Sequence, residues 1–353
     1  MTTVPSNPTT GRAATLQSIA TAAGVHRSTA ARALDPAQSH RISPEVVERV
    51  RHEAQRQGYR RDTIAASLRT GRSSLVGVLL PDLGNPVFAP ILDGIGLYLA
   101  ERGYSMLVTG GADEASQIGI VEELMARRVD GLVLATVRRD DPVVTICLAA
   151  GLPTVLVNRG EDDLRTASVV TDDMGGMALA VDHLVSLGHR RIGHLAGPQS
   201  LSTGALRRQG FENAMTAAGL DPCPIVTATA YSRDAGEAAT ALLLNRYPHL
   251  TAIAAGNDLL ALGAYLDVKR RGLTCPGDIS IVGHNDMPLV DMVDPPLTTI
   301  HIGHREMGAS AAALLLERIG TPSLSPVRRL ASAELIVRAS TKQLARADTA
   351  IGF

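Results

Sequence analysis

Arg27 and Ser28, followed by Thr29 and then Arg32, bring a guanidinium fork and small hydroxyls to the front of one short segment. A guanidinium can grip a guanine edge through two parallel hydrogen bonds, while hydroxyls suit bases or phosphates. Arg27 and Ser28 are therefore the candidates for base edges, Arg32 for a base or a phosphate, and Thr15, Thr29, Arg41 and Ser43 for phosphates. His26 stands where this segment needs a cap. The charge distribution points the same way. Residues 1–74 hold eleven Arg, no Lys and five Asp or Glu, a balance of +6, whereas the whole chain of 353 residues carries -1 and so leaves -7 for the remainder. That asymmetry implies a polyanionic partner for the N-terminal part.

A second set of groups suits a small ligand. Asn85, in Pro81-Asp82-Leu83-Gly84-Asn85-Pro86-Val87-Phe88, offers both a donor and an acceptor, and Phe88 offers a flat face for a sugar ring or a base. In a chain with three Phe and no Trp, an aromatic residue here is informative. Arg159 can hold a hydroxyl or a carboxylate. These are tools of recognition. Bond-making signatures are missing: there is no nucleophile elbow, no HExxH, and no GxGxxG or Walker loop after a strand. The three Cys, at 147, 223 and 275, are odd in number and far apart, which argues against a disulfide framework or a zinc site. No catalytic residue, metal or cofactor is expected. The polar first ten residues lack a signal-peptide pattern, and no segment has the ~18 apolar residues of a membrane span. A cytoplasmic protein without a membrane partner is expected.

The elements that must position these groups fall into two kinds. Leu16, Ile19, Ala20 and Ala23 share one helical face, Gly24 permits a tight turn over Val25, and a second helix from about Arg27 to Leu34 buries Ala30, Ala33 and Leu34. Small residues let the two helices cross closely, which makes the pair a helix-turn-helix whose second helix fits the major groove. Ser43, with Pro44 behind it, is expected to cap a third helix striped by Val46, Val47 and Val50. From Leu75 onward short apolar runs alternate with amphipathic stretches, as parallel sheets with crossover helices require. The runs are 75–80, 105–109, 131–135, 154–158, 192–196, 225–229, 252–255, 279–283 and 297–302, with a final strand at 335–337. Nine runs before that last strand exceed one compact sheet, so two similar halves are expected, with a ligand beyond the carboxyl ends of their strands.

Residues 15–80 resemble the lactose-repressor/purine-repressor family of transcriptional regulators, and later motifs extend the resemblance almost to residue 340. These are Leu187-Gly188-His189-Arg190-Arg191-Ile192-Gly193, Gly256-Asn257-Asp258 and Gly283-His284-Asn285-Asp286. The resemblance implies an all-α helix-turn-helix domain joined to an α/β effector domain of the periplasmic-binding-protein type with two parallel-sheet subdomains. It further implies a hinge helix in which Leu68 wedges into the minor groove with Ala65 as its close-packing neighbour. Arg61 and Asp62 stand where the family usually has Pro-Asn. Arg207 falls where the family presents an Arg to its ligand, with Thr203 one turn away. Tyr231 matches an aromatic contact, and Asn257 another ligand position. Asn285 replaces the Asp of many members. With Arg159 and Arg207, this favours a sugar acid or another anionic metabolite, with a neutral sugar left open. Asp172 or Asp173 is expected to cap a helix, and His189 to be structural.

The expected organisation is a disordered tail at 1–13, the DNA-binding domain at 14–60, a hinge at 61–74, an effector and dimerisation domain at 75–341 with crossovers near 160–172 and 286–302, and a flexible tail at 342–353. Without a Leu heptad after Thr341, a homodimer on palindromic operator DNA is the matching assembly. The implied function is allosteric control of operator affinity by a small metabolite, with repression the family's commoner outcome. A sugar-processing enzyme with a basic N-terminal extension is the rival reading, and a transport receptor a distant third.

Overall fold

The computed structural model describes residues 14–35, 38–59, 71–111, 113–222 and 224–344. The chain forms two compact units, Met1–Ser73 and Ser74–Phe353.

In the first unit, α1 (Leu16–Ala22), α2 (Arg27–Ala33) and α3 (Pro44–Arg56) enclose a core of Ile19, Ala20, Ala23, Ala30, Ala33, Val47, Val50 and Ala54. Thr15 and Ser18 form a reciprocal capping box on α1, each side-chain oxygen accepting from the other's backbone N–H at 3.2 and 3.1 Å. Gly24 takes φ 64°, a left-handed conformation in which a Cβ is strained, and so makes the turn into α2. Arg49 donates to the carbonyl of Ala23 at 2.9 Å, tying α3 to that turn. One expectation is corrected. Ser43 precedes α3, but its hydroxyl caps nothing, because Pro44 at the first position already removes one orphan N–H.

The second unit contains a six-stranded parallel sheet in the order β11-β5-β4-β3-β1-β2 and a four-stranded parallel sheet in the order β7-β6-β8-β9. The strands of the first sheet are β1 (Leu75–Leu80), β2 (Ser105–Gly110), β3 (Gly131–Leu134), β4 (Thr154–Val157), β5 (Ala167–Thr171) and β11 (Arg328–Ala331). Those of the second are β6 (Ile192–Ala196), β7 (Ile225–Thr227), β8 (Ala252–Ala255) and β9 (Ser280–Val282). β10 (Thr299–His301) pairs antiparallel with β12 (Glu334–Ile336) and lies beside β9 through the bridges Val282 to Thr298 and Asn285 to His301. Central strands such as Val76–Leu80 are buried throughout, as a parallel sheet covered on both faces demands.

The helices are α4 (Phe88–Ala100), α5 (Glu114–Ala126), α6 (Pro142–Ala149), α7 (Asp173–Ser186), α8 (Ser202–Ala217), α9 (Arg233–Arg246), α10 (Asp258–Arg270) and α11 (His304–Gly320). α11 belongs to the first lobe although it follows β10. It packs along α4 with its Gly308 against Ile91 and with Gly94 of α4 against Arg305. A Cβ on either glycine would stand 2.1 Å from the facing carbonyl oxygen. Glycine is required at both places because the backbones touch.

The chain passes between the lobes at 171–173, 301–304 and 331–334, three times rather than the two expected. β5 and β11, which the sequence reading did not anticipate, make the difference. β5 is only five residues long and leads directly into a capped helix, while β11 reads Arg-Arg-Leu-Ala with most side chains exposed. Residues 342–344 are also not a free tail: Leu344 N–H donates to the carbonyl of Leu187, and the carbonyl of Lys342 lies 3.1 Å from His189 Nε2.

Candidate functional site

In the first unit the front of α2 is exposed. His26 caps α2: its Nδ1 accepts from the Ser28 N–H at 3.3 Å and lies 2.8 Å from the Ser28 hydroxyl. A histidine is an unusual cap, yet its ring nitrogen does what a Ser or Asn oxygen does elsewhere. Arg27, Ser28, Arg32 and Arg41 are exposed, Thr29 is half-buried, and the guanidinium groups of the three arginines have no hydrogen bond or ion pair among the described residues. Thr15 and Ser43 are exposed beside the N-termini of α1 and α3. Exposed guanidinium groups and helix N-termini suit phosphates, and the exposed Arg27 at the front of α2 can reach a base. Ala65 and Leu68 lie outside the described residues.

In the second unit the polar residues converge at the carboxyl ends of the strands, where parallel strands leave a crevice. Asn158 and Arg159 follow β4, Thr203 and Arg207 lie on the first two turns of α8 after β6, Tyr231 follows β7, Asn257 follows β8, and Asn285 follows β9. The lobes meet there. Arg139 N–H donates to the carbonyl of Ser200 at 3.1 Å, and Gly160 N–H to the Ser202 hydroxyl at 3.0 Å.

Side chains from both lobes carry buried polar atoms without a partner: Thr136 Oγ1, Asn158 Oδ1 and Arg159 Nε from the first, Thr203 Oγ1, the Tyr231 hydroxyl and Asn285 Oδ1 from the second. Orphaned buried polar groups are costly, so this concentration marks a place built to meet a polar molecule. Asn285 takes φ 117° and Asn158 φ 65°, both in the left-handed region that costs a non-glycine residue strain.

The two arginines differ in their surroundings. Arg207 is 2% exposed, donates from Nε to Asp173 at 2.7 Å and from NH1 to the carbonyl of Gly256 at 2.7 Å. Burial disfavours its charge, but the Asp173 carboxylate more than offsets this and holds its pKa above the usual value. Asp172 is the residue that caps α7, accepting from Gly175 N–H at 2.9 Å, which leaves Asp173 for this ion pair within the second lobe. Arg159 is 8% exposed and has no such carboxylate. Burial pushes its pKa down to about 10, and the Arg207 charge acts in the same direction.

Several expected contacts are placed differently. Phe88 is corrected: it is 2% exposed in the first-lobe core with Val76, Ile91 and Met307, so the flat face expected for a ligand is covered by apolar neighbours. Asn85 Oδ1 accepts from Val87 N–H at 3.2 Å, and Asn257 Oδ1 caps α10 through Leu260 N–H at 2.9 Å, so each amide keeps only its NH2 for other work. His189 joins Thr251 and the carbonyl of Lys342.

The sequence reading missed three groups beneath Arg207. Asp258 is buried, receives hydrogen bonds from the Thr299 hydroxyl and Met287 N–H, and has a pKa pushed up to about 7 by burial. His284 is fully buried, and neither ring nitrogen has a hydrogen-bond partner. His194 stacks on Phe211 at 4.8 Å, and burial lowers its pKa to about 4. His284 and Asp258 stand inside motifs already quoted above, and only their burial distinguishes them.

Residues 181–341 match the periplasmic binding protein-like domain. The chain is 32% identical over 337 residues to the HTH-type transcriptional regulator CelR of Thermobifida fusca, covering 93% of this chain and 98% of that one. It belongs to the lactose-repressor family of transcriptional regulators. Its structure is similar to that of the lac repressor dimer bound to operator and the anti-inducer ONPF, with TM-score 0.81 and 28% identity over 94% of this chain and 100% of that one. It is also similar to the transcriptional regulator CelR–cellobiose complex, with TM-score 0.72 and 31% identity over 93% of this chain and 99% of that one.

This regulator is thus a ligand-controlled DNA-binding protein and not a sugar-processing enzyme. Burial raises the thiol pKa of Cys147 to about 11 and that of Cys275 to about 12, which makes both poor nucleophiles. Among the described residues no cluster of His, Cys, Asp and Glu could hold a metal, and no helix is long and apolar enough to cross a membrane.

Proposed function

We propose that this regulator acts in the cytoplasm as a homodimeric repressor that reads a palindromic operator and responds to a sugar or sugar acid held between the lobes of its second unit. Arg27 and Ser28 read base edges from the front of α2, Arg32 adds a base or phosphate contact, and Thr15, His26, Thr29, Arg41 and Ser43 fix the register. Ala65 and Leu68 supply the minor-groove contact of the hinge. Asn158, Arg159, Thr203, Arg207, Tyr231, Asn257 and Asn285 line the effector site, with Asn85 at its rim.

The observation that carries this reading is the set of orphaned polar atoms contributed by both lobes. A ligand satisfying atoms from both lobes binds one relative orientation better than any other, and that difference is the free energy an allosteric change requires. Dimerisation is supported by the loop between β9 and β10, which leaves Leu289 67% and Met292 76% exposed.

Selection of genomic DNA fragments by the purified protein, at fixed salt and with a panel of sugars and sugar acids, tests the proposal. A palindromic site that is lost on Arg27→Ala and modulated by one panel member supports it. Sequence-indifferent binding that survives Arg27→Ala removes the operator-reading role of α2.

A further inference from the structure

We infer that the effector of this regulator carries an anionic group, a carboxylate or a phosphate, which docks on Arg159. The inference rests on the reading of the cleft as the effector site and narrows it. Arg159 follows β4 next to Gly160, whose N–H bonds to Ser202 of the opposite lobe, so the guanidinium is enclosed where the lobes meet. Among the described residues it makes no ion pair and no side-chain hydrogen bond, and Nε is buried without a partner.

The groups that act on it electrostatically are Tyr231 and Arg207, a neutral phenol and a second cation. None of the buried acids of this region pairs with it. Asp173 is bound to Arg207, Asp258 to Thr299 and Met287, and Glu161, two residues further on, to Arg165 and the Asp141 N–H. Asn285 contributes an amide where a carboxylate would have supplied a negative charge. The Arg159 guanidinium therefore carries a positive charge that no carboxylate among the described residues pairs with, which burial penalises until an opposite charge arrives.

A neutral polyol can meet the hydrogen-bonding needs of Asn158, Thr203 and Asn285 but not that charge. A carboxylate or phosphate meets both, because its oxygens match the guanidinium fork. The ligand expected is a polyhydroxylated skeleton with one acidic end, the hydroxyls facing the orphan oxygens and the acid facing Arg159.

Two measurements on the full-length protein test this. Without any ligand, Arg159→Met removes an uncompensated buried charge and is expected to raise the Tm by about 2–4 °C; a fall of that size overturns the inference, since it means that the charge is already stabilised. Calorimetric titration with glucose, glucuronate and glucose 6-phosphate, and with cellobiose and cellobionate, supplies the second arm. An acid is expected to bind about 10–100-fold more tightly than its neutral partner, with the preference lost in Arg159→Gln. Whether the carboxylate or the phosphate leads identifies the acid. A neutral sugar binding as tightly as its acids overturns the anionic effector and leaves the cleft reading intact. If no compound binds and none alters operator affinity, both fall together.

Discussion

The α2 surface and the region where the lobes meet, the two sites we propose for recognition, are both rich in arginine, yet they are built on opposite physical terms. On α2 the polar side chains are exposed, water satisfies them, and the helical bundle folds on its alanine and valine core without their help. In the cleft Arg207, Asp173, Asp258 and His284 are almost fully buried, so each must be paired by the protein, kept neutral, or left waiting for a ligand. The contrast teaches that the same residue type separates binding from stability in one place and couples them in the other. Long-range contact with a polyanion needs charge in solvent, whereas discrimination of a small metabolite needs polar groups from which water has been removed.

The sharpest way to break this comparison is to delete an arginine from each side. Arg207→Met leaves the Asp173 carboxylate buried and unpaired, and should cost about 3–5 kcal/mol in denaturant unfolding. A loss below 1 kcal/mol would show that the cleft, too, tolerates free removal of charge. Arg27→Ala should leave the unfolding profile within about 0.5 kcal/mol of the parent while weakening discrimination of the operator from a scrambled duplex by about 1–3 kcal/mol. Equal weakening on both duplexes would reassign Arg27 to a phosphate.

Acid sharpens the contrast further. Burial lowers the pKa of His194 and His304 to about 4 and that of His284 well below its usual value. Each therefore contributes stability above the unfolded value of 6.5 that is lost as the pH falls towards 4. Asp258, raised to about 7, works the other way, adding stability at low pH that is lost as the pH rises through 7. With His183 and His189 also lowered, five histidines outweigh the two raised aspartates, Asp258 and Asp173, so the second unit should weaken between pH 6.5 and 4. Asp258→Asn should steepen that fall by about 1.4 kcal/mol per pH unit, read from unfolding at successive pH values. An unchanged slope would mean that Asp258 is ionised in the fold. The smallest effect expected is that of His26→Ala, which removes the cap of α2 at a cost of about 1 kcal/mol, visible in the melting of the first unit. No change would mean that the His26 ring serves DNA contact alone.

The DNA-binding unit was legible because its logic is local. Leu16, Ile19, Ala20, Ala23 and Gly24 fall within nine residues, and their spacing alone decides which face is buried and where the chain turns. The motifs around Arg207, Asn257 and Asn285 were legible in the same sense, as short strings at strand ends. What the string could not decide was which of these groups the fold would satisfy internally. Phe88 sits in the core instead of facing a ligand because α4 and α11, more than 200 residues apart in sequence, close over it through Gly94 and Gly308.

β5 and β11 escaped notice because neither has a period of its own; they are strands only because neighbouring strands complete their hydrogen bonding. By itself the sequence determined the helix-turn-helix, the two-lobed α/β plan and the strand ends from which the site is assembled, since period and turn chemistry act over a few residues. Only the tertiary structure decided that Arg207 meets Asp173 while Arg159 meets no carboxylate among the described residues. Ion pairing in a buried site depends on distances between residues far apart in the chain, and folding alone sets those distances.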